Sequence, residues 1–496
     1  MLLALPIALP FAVGVACHAA RHRPALLRTI SLSGALGLLA VALAILSQVM
    51  AGGPQAAQMG GWPAPYGITL AADGLGAGLL VATALTGVAA VVFGFAEIER
   101  KSETVGHHTF LHILLGGVSG AFVTGDLFNL YVWFEVLLIA SFGLLVVRGG
   151  RRQLDGAARY VTLNLLATVA FLLGVGLLYG ATGTLNMADL RDAVAATETP
   201  AKILVPGAFL LFGFAAKAAM FPAFFWLPAS YHTPSFTVSA VFAALLTKVG
   251  VYAIFRTFTL IYGLETPWVR ELLLWGGGFT MVVGVLGAIA QTELRRVLAF
   301  QVISSIGFMV SILSAGGLEA TTAAIFYLLQ DMIAKVALFT VAWMAARQGG
   351  TEDLRLAGGL WSRAPLVGAL FLVPALSLAG LPPFAGFWAK VLFVDAALKA
   401  DLGWLAAVGL GVGLLTLYSM ARVFSEVFWK ARPADSPVSA MADDRPPLAG
   451  IAATVGLAAL VTWIGVAPEP FIAFAQAAAA DIVDPAAYVA AVLGER

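Results

Sequence analysis

Charge is scarce in this sequence. Only 11% of its 496 residues are charged, whereas 60% are hydrophobic and glycine fills another 53 positions. A soluble domain has about 25% charged residues, so a chain with so few cannot keep a large soluble surface hydrated. A large soluble enzyme and a disordered chain are therefore excluded. The apolar residues form continuous runs rather than the alternation of an outer-membrane barrel, which predicts an all-α polytopic membrane protein.

Cysteine and an excess of positive charge are also missing. Cys17 is the only cysteine, which excludes intrachain disulfide bonds, thiolate metal sites and iron–sulfur clusters. The formal net charge is +1, so the sequence offers no basic face for nucleic acid. Haem held by two histidines would need pairs on facing helices, and only His112 lies clear of the ends of the apolar runs. We therefore expect no metal and no cofactor.

Long apolar runs are what the sequence has in abundance. A membrane-spanning helix needs about 20 apolar residues, and about fourteen runs meet that length. Loops after odd-numbered runs, with the adjoining span ends, hold 18 Lys and Arg residues, against 6 for the other loops and the C-terminus. Because short cytoplasmic loops carry the excess of Lys and Arg, both termini are expected on the extracytoplasmic side. A mixed segment at 185–194 is expected to form a helix at the membrane interface. The predicted spans are 2–20, 26–48, 71–96, 108–124, 126–147, 158–180, 203–229, 236–260, 270–290, 297–315, 320–346, 365–396, 403–428 and 448–467.

Four lysines lie well inside these runs. A lysine at the centre of a membrane helix costs roughly 2.5–3.5 kcal/mol, so these side chains must face protein, water or a partner charge. Two carboxylates in the same kind of position, Glu135 and Asp331, can provide such partners. Asp331 lies four residues before one of the lysines, so the two can pair along one face of a helix. The intramembrane lysines are Lys217, Lys248, Lys335 and Lys390.

These charges have two interpretations. The lysines can extend their stems to the headgroup region, or form purely structural ion pairs. The functional interpretation is a proton relay: a poorly solvated lysine releases its proton readily, and a neighbouring carboxylate restrains that release. Moving or neutralising the carboxylate would then release the proton.

Two of the spans are expected to be broken by proline. Pro222 interrupts the seventh span, and Pro382 and Pro383 interrupt the twelfth, because proline lacks the backbone donor and clashes with the preceding turn. Residues 223–226 (AFFW) align with residues 385–388 (AGFW), 162 positions later. That offset covers five helices, an odd number, which favours two inverted five-helix repeats around an ion pathway. Proline kinks are common in membrane helices, so a chance match is the alternative. The predicted segments are 1–107 (spans one to three), 108–262 (first repeat), 263–430 (second repeat) and 431–496 (cytoplasmic loop, last span and C-terminal tail).

Several segments resemble a known family. They are 124–141 (TGDLFNLYVWFEVLLIAS), 178–190 (LYGATGTLNMADL), 221–228 (FPAFFWLP) and 247–252 (TKVGVY). The chain resembles the antiporter-like subunits shared by respiratory complex I and Mrp-type cation/proton antiporters, and is most similar to the D-subunit family of the Mrp (also Pha or Mnh) complexes. The second segment favours the Mrp branch.

The resemblance implies a role for each intramembrane charge. Glu135 on the fifth span would pair with Lys217 on the broken seventh span. Lys248 on the eighth span would pass protons toward the second repeat, and Lys335 and Lys390 would continue the path to the other side of the membrane.

Three further residues are expected to support the relay. Asp126 opens the fifth span, and His232, in the loop before the eighth span, is expected to help to feed it. Complex I subunits of this group usually carry a histidine one turn before the lysine of the eleventh span, where this chain has Asp331. An Asp331–Lys335 pair is therefore expected in its place.

The favoured hypothesis is a non-enzymatic subunit that carries protons within a hetero-oligomeric Na⁺ (or K⁺)/H⁺ antiporter of a prokaryotic cytoplasmic membrane. Its expected partners are the other subunits, the transported ions and lipid, but not nucleic acid. The alternative is a proton-pumping membrane-arm subunit of complex I or of a membrane-bound hydrogenase. A third hypothesis, a scaffold that conducts nothing, is disfavoured by the four intramembrane lysines.

Overall fold

The computed structural model describes residues 2–433 and 447–494. Most of the loop predicted at the start of segment 431–496 therefore lies outside the described residues. The chain is helical apart from one antiparallel hairpin between Gln55–Gln58 (β1) and Thr69–Ala72 (β2). The helices are α1 Leu5–Ala19, α2 Pro24–Gly52, α3 Gly74–Glu97, α4 Arg100–Val105, α5 His107–Val123, α6 Leu127–Val146, α7 Arg151–Thr182, α8 Met187–Ala195, α9 Ala201–Ala218, α10 Trp226–Ser230, α11 Phe236–Val241, α12 Thr247–Leu260, α13 Pro267–Ala290, α14 Leu294–Leu313, α15 Gly317–Gly349, α16 Leu360–Arg363, α17 Pro365–Ala379, α18 Ala385–Lys399, α19 Gly403–Phe424, α20 Leu448–Val466, α21 Glu469–Val483 and α22 Ala486–Leu493.

The prediction of a polytopic helical membrane protein is confirmed. Within the described residues, 12 helices are long and apolar enough to cross a membrane. A further predicted span corresponds to α5, which has 17 residues, and another to the interrupted pair α17 and α18. The total of fourteen spans stays a prediction. The segment expected at the interface forms α8, whose first N–H groups are capped by the side chain of Asn186.

Both predicted helix breaks are present. Helix α9 ends where Ala219 adopts a left-handed conformation (φ 60°), and the chain resumes helical structure at α10. Helix α17 ends in the same way at Gly380 (φ 85°) before α18 begins. Glycine adopts this conformation without strain, whereas alanine at Ala219 must be held there by its surroundings. The prolines lie within the two gaps, where their missing N–H groups disturb no helix.

A second internal correspondence supports the predicted repeats. Asp126, which caps the start of α6, forms a backbone bridge with Asn186, and Glu293 at the start of α14 forms the same bridge with Asp353. Both residues of the second bridge lie 167 positions after those of the first. The first bridge precedes predicted span five and the second precedes predicted span ten. Because successive spans cross the molecule in opposite directions, the two bridges are expected at opposite ends. That placement is what inverted repeats require.

The long helix α15 runs through the middle of the molecule. It has 33 residues, and 94% of its apolar span is buried inside the chain. The stretch predicted as a C-terminal tail forms α21 and α22, which are bent by 68° relative to each other. Helix α21 packs against α15 and α3. The sequence did not predict this, because alanine-rich segments of that length are too short to be recognised as spans.

Candidate functional site

An ion triad lies at the centre of the molecule. Lys248 Nζ is 2.8 Å from Asp331 Oδ2, and Lys335 Nζ is 3.5 Å from Asp331 Oδ1. All three side chains are fully buried, with 0% of their surface exposed. One carboxylate therefore serves two lysines that come from different helices, α12 and α15.

Local helix geometry positions each member of the triad. Asp331 and Lys335 are four residues apart on α15, so they share one helix face. Lys248 follows a π-helical turn, Phe242–Leu246, and donates a hydrogen bond of 2.9 Å to the carbonyl of Ala243 within it. Such turns leave backbone carbonyls free for other partners and are frequent at functional sites. Lys335 donates a hydrogen bond of 3.0 Å to the carbonyl of Gln301 on α14.

The first flank of the triad contains Glu135 and Lys217. Lys217 is 6% exposed and its Nζ lies 5.4 Å from the centre of the Phe134 ring. Glu135 accepts a hydrogen bond of 2.9 Å from Thr168 on α7. Among the described residues, the ion pairs within 4.0 Å do not include Glu135 with Lys217. The structure thus places both residues on neighbouring helices but holds each by other contacts.

A small cavity lies between this flank and the π-helical turn that precedes Lys248. Its volume is about 20 Å³, and Lys217, Asn164, Tyr160 and Leu246 are among its lining residues. A polar cavity of about 10–15 Å³ holds one water molecule when polar partners surround it. This space has the volume of a single water between Lys217 and the π-helical turn that precedes Lys248, but its other lining residues, Phe134, Leu137, Leu138 and Trp226, make it mostly apolar.

The second flank contains Lys390 on α18. Its Nζ donates a hydrogen bond of 2.7 Å to the carbonyl of Ala379, the last residue of α17. The break after α17 therefore supplies the acceptor. In the described part of the chain no carboxylate lies within ion-pair distance of Lys390, whereas Lys399 on the same helix pairs with Asp395 at 2.9 Å.

Aromatic rings occupy the space on this side of the triad. Lys390 Nζ lies 5.5 Å from the centre of the Phe308 ring. Phe308 stacks on Tyr327 with 5.2 Å between ring centres, and Tyr327 lies one turn before Asp331 on α15. The polar contact is thus continuous within the triad and is interrupted on both flanks.

A wide polar vestibule opens at one end of the molecule. Its volume is about 970 Å³. It is lined by the connections that follow predicted spans three, five, seven, nine and eleven, which confirms that these five connections share one end. The charged lining residues are Glu97, Glu99, Arg148, Arg152, Glu293, Arg295, Arg296, Arg347, Glu352, Asp353 and Arg355.

The two remaining sequence candidates lie away from the lysines. Asp126 accepts a 2.7 Å hydrogen bond from the backbone of Asn129, so it caps α6. His232 is 5% exposed beside the vestibule, where its ring contacts the Pro228 carbonyl at 2.9 Å and Arg296 at 3.2 Å. Within the described residues, no group of three or more His, Cys, Asp and Glu side chains could hold a metal ion.

Comparison with known proteins shows the family to which the chain belongs. The family model described as NADH:quinone oxidoreductase/Mrp antiporter, TM, matches residues 124–416. The chain belongs to this family. The matched range contains every residue of the triad and both flanks, so the shared region and the buried charges coincide.

Relatives of the family resemble the chain over its whole length. It is 39% identical to the Na(+)/H(+) antiporter D subunit of Alkalihalophilus pseudofirmus over 100% of this chain and 99% of that protein. It is 37% identical to the protein of the same name from Bacillus subtilis, over 86% of each. Among solved structures, the Mrp complex from Dietzia sp. matches with a TM-score of 0.92, 32% identity and 99% coverage of both chains. An archaeal membrane-bound sulfane sulfur reductase matches with a TM-score of 0.90 and 27% identity, also over 99% of both chains.

Some contacts of this family member could not be predicted. The sequence identified all four lysines and both carboxylates, but not Thr168 or the carbonyls of Ala243, Gln301 and Ala379. Backbone acceptors carry no signature in the side-chain pattern. Only the acceptor at Ala379 had an indirect signal, because the following Pro382 and Pro383 indicate a broken helix with free carbonyls.

Proposed function

We propose that this chain translocates protons as one component of a multisubunit Na⁺/H⁺ antiporter in the bacterial cell membrane. It is a transporter subunit rather than an enzyme, with the other antiporter subunits as its partners. The buried triad of Lys248, Asp331 and Lys335 carries the proposal, and full-length similarity to the D subunits of Na(+)/H(+) antiporters supports the exchanged ions.

The triad has one more basic group than it has acids. With both lysines charged, a net positive charge would lie in a fully buried place, which is unfavourable. With one lysine neutral, the triad is balanced and holds one mobile proton. Asp331 then decides which lysine keeps the charge, since the ammonium closer to the carboxylate is stabilised more.

The distances indicate how small the controlling motion is. Coulomb attraction at 2.8 Å exceeds that at 3.5 Å by roughly 1 kcal/mol at an effective dielectric constant of about 20. In this structure Asp331 therefore favours the charged form of Lys248. A shift of the carboxylate by less than about 1 Å toward Lys335 would reverse that preference and move the proton from the first repeat to the second.

The two flanks act as gates in this proposal. A proton from Lys217 reaches Lys248 when water fills the cavity beside Leu246. A proton leaves Lys335 for Lys390 when the stacked rings of Phe308 and Tyr327 separate. Because both flanks are closed here, the triad can hold a proton without connecting the two sides of the membrane.

The vestibule is the cytoplasmic opening in this proposal, and both termini lie on the opposite side of the membrane. The vestibule is lined by odd-numbered connections, and the odd-numbered connections together hold 18 Lys and Arg residues against 6 for the others, a bias that is typical of cytoplasmic loops. Inward proton flow through the chain would then drive the export of the cation.

The central test replaces Asp331 by asparagine, which keeps the size of the side chain but removes its charge. All subunits of the complex are expressed in a host that lacks its own antiporters, and Na⁺-dependent pH change is measured in everted vesicles. We expect Asp331→Asn to reduce exchange to background. Normal exchange in an assembled Asp331→Asn complex would refute the triad mechanism.

The chain offers a matched control for this test. Asp395 and Lys399 form an ion pair with the same four-residue spacing, but about half of each side chain is exposed. Surface pairs contribute about 0–1 kcal/mol, so Asp395→Asn should leave exchange unchanged. Copurification of the other subunits with each variant distinguishes loss of transport from loss of assembly.

One observation favours a second candidate function. The likeness to the archaeal sulfane sulfur reductase is nearly as complete as the likeness to the Mrp complex. A proton-pumping arm of a redox complex would require flavin or iron–sulfur subunits among the proteins that copurify with the chain. Copurification of small membrane subunits alone supports the antiporter.

A further inference from the structure

A buried histidine cluster lies outside the proposed relay, among helices α2, α4 and α5. Ser31 Oγ is 2.9 Å from His108 Nδ1 and 2.9 Å from His112 Nε2. His108 Nε2 is 3.5 Å from Glu103 Oε1. Each of these four residues is at most 1% exposed. None of the three helices carries a lysine of the relay.

We propose that Glu103, His108, Ser31 and His112 form a second site, which binds one proton. The site is separate from the lysine relay.

The proposal follows from the hydrogen-bonding capacity of Ser31. A hydroxyl has one hydrogen to donate, so it satisfies two ring nitrogens only when one of them carries hydrogen and the other does not. In the neutral state, His108 donates from Nε2 to Glu103 and accepts from Ser31 at Nδ1, while His112 donates from Nε2 to Ser31. Every polar hydrogen between these four groups then has an acceptor.

One added proton can be accommodated without breaking any of these contacts. It binds at Nδ1 of His112, whose Nε2 proton passes to Ser31 Oγ, and the former hydroxyl proton passes to Nδ1 of His108. The positive charge then lies on His108, which donates to both Ser31 and Glu103. A second proton would leave the hydroxyl hydrogen without an acceptor and would place two positive rings side by side, so the site holds only one.

The charges around the cluster set the balance of this site. Glu103 also accepts hydrogen bonds from Arg28 at 2.8 Å and from Arg100 at 3.2 Å. Burial alone would raise the pKa of Glu103, but hydrogen bonds from His108, Arg28 and Arg100 outweigh it and lower that pKa to about 2. Glu103 is therefore always available as the counter-ion of His108. The two partly exposed arginines oppose the added charge, as does Arg148 from the far side of His107.

His107 completes the surroundings of the site. Its ring lies edge-on to His108 with 5.4 Å between ring centres, and both of its nitrogens are buried without a protein partner among the described residues. Among the described residues, the hydrogen bonds of Ser31 go to His108 and His112 and not to His107. Substituting His107 therefore provides a nearby comparison that leaves the proposed proton path intact.

The test measures histidine protonation directly. The assembled complex, with nitrogen-labelled histidine, is placed in lipid vesicles and its ring-nitrogen NMR signals are followed between about pH 5 and about pH 8. Among the imidazolium signals that form on acidification, we expect one to be absent in His108→Gln and to form at a clearly different pH in Ser31→Ala. Ser31→Thr keeps the hydroxyl and should titrate as the native complex does.

Two outcomes would overturn the proposal: an unchanged titration in Ser31→Ala, or the loss of no imidazolium signal in His108→Gln. His112→Gln provides an independent check, because glutamine can accept from Ser31 but cannot pass a proton, so the signal should again form at a different pH. His18→Gln, at an exposed site on α1, is the control for histidines outside the cluster. Because no relay residue is altered, maximal antiport in Ser31→Ala vesicles should stay native, whatever the outcome for the lysine relay.

Discussion

The two broken helices use the same backbone device to hold a lysine in different ways. Helices α9 and α17 both end at a left-handed residue deep in the molecule. Lys217 belongs to the first half of its broken helix, and the chain places a carboxylate, Glu135, on a neighbouring helix. Lys390 lies after its break and reaches back to the free carbonyl of Ala379. The C-terminal end of a helix can thus stabilise an ammonium that belongs to that helix, as Lys217 does, or to the helix after the break, as Lys390 does.

This difference separates a movable partner from a fixed one. Among the described residues, Glu135 accepts one hydrogen bond, from the side chain of Thr168, so its carboxylate is free to rotate when that bond breaks. The Ala379 carbonyl belongs to the backbone and cannot follow a moving lysine. The first flank is therefore expected to respond to changes in a carboxylate, and the second to changes in local packing.

Between the two flanks, the largest effect is expected for Glu135→Gln, which removes the movable charge but keeps the shape of the side chain. Without a nearby carboxylate the charged form of Lys217 is disfavoured, and exchange in everted vesicles should fall roughly 100-fold, which is about 2.7 kcal/mol. Glu271→Gln is the control, because Glu271 is exposed and contacts only Trp275 on its own helix. If Glu135→Gln kept exchange within about twofold of native, the Glu135 carboxylate would not be required for proton transfer on the first flank.

The second largest effect is expected for Gly380→Ala, which disturbs the fixed carbonyl site. An added Cβ would collide with Cδ of Lys390, and the φ of 85° is strained for alanine. The lysine must shift away from the Ala379 carbonyl, and exchange should fall roughly tenfold, or about 1.4 kcal/mol. Gly411→Ala is the matched control, since a Cβ there would meet no atom within 4 Å. Native exchange in Gly380→Ala would show that Lys390 does not depend on this position.

A smaller effect is expected for Thr168→Val, which removes the hydrogen bond to Glu135 but neither charge. Hydrogen bonds to charged groups contribute about 1.5–3 kcal/mol, and part of this is recovered if water replaces the hydroxyl. We expect a roughly three- to tenfold loss of exchange, about 0.7–1.4 kcal/mol. Thr162→Val on the same helix is the control, because Thr162 is exposed and bonds only to its own helix at Ala158. An equal loss in both variants would assign the effect to α7 as a whole.

The sequence predicted the residues of the site better than their contacts. A lysine inside an apolar run is conspicuous because its burial is costly, and this identified the lysine of each flank. The spacing of Asp331 and Lys335 also indicated that they share a face. That Lys248 approaches Asp331 more closely than Lys335 does depends on the π-helical turn before it. Nothing in the residues Phe242–Leu246 signals such a turn.

The same limit applies to the fold. Hydropathy located the long spans, and the two proline motifs located both breaks. The repeated backbone bridge at Asp126 and Glu293 has no sequence match strong enough to predict it, because its hydrogen bonds join main-chain atoms. Segments 469–483 and 486–493 were predicted as a tail for a related reason: their burial depends on α15 rather than on their own length.

The smallest effect is expected at the loop after the first broken helix, where His232 has no titratable histidine counterpart in the second repeat. Burial, followed by repulsion from Arg296 and Arg152, lowers the pKa of His232 to about 4. The ring is therefore neutral at all pH values well above about 4 and gains a charge only as the pH falls through that value. His232→Gln should leave exchange within about twofold of native, with an unchanged profile near neutral pH.

Arg296→Gln makes this prediction sharper. It removes the repulsion from Arg296, which after burial lowers the pKa of His232 the most. That pKa should therefore rise toward the ordinary value of about 6.5. His232 would then gain charge at a higher pH than in the native chain, although burial still lowers its pKa, and the acidic side of a profile measured in Arg296→Gln should differ from that of the Arg296→Gln/His232→Gln double variant. A shift of the native profile by His232→Gln alone would mean that the histidine already titrates near neutrality. The first repeat would then draw protons through an ionisable loop that the second repeat lacks.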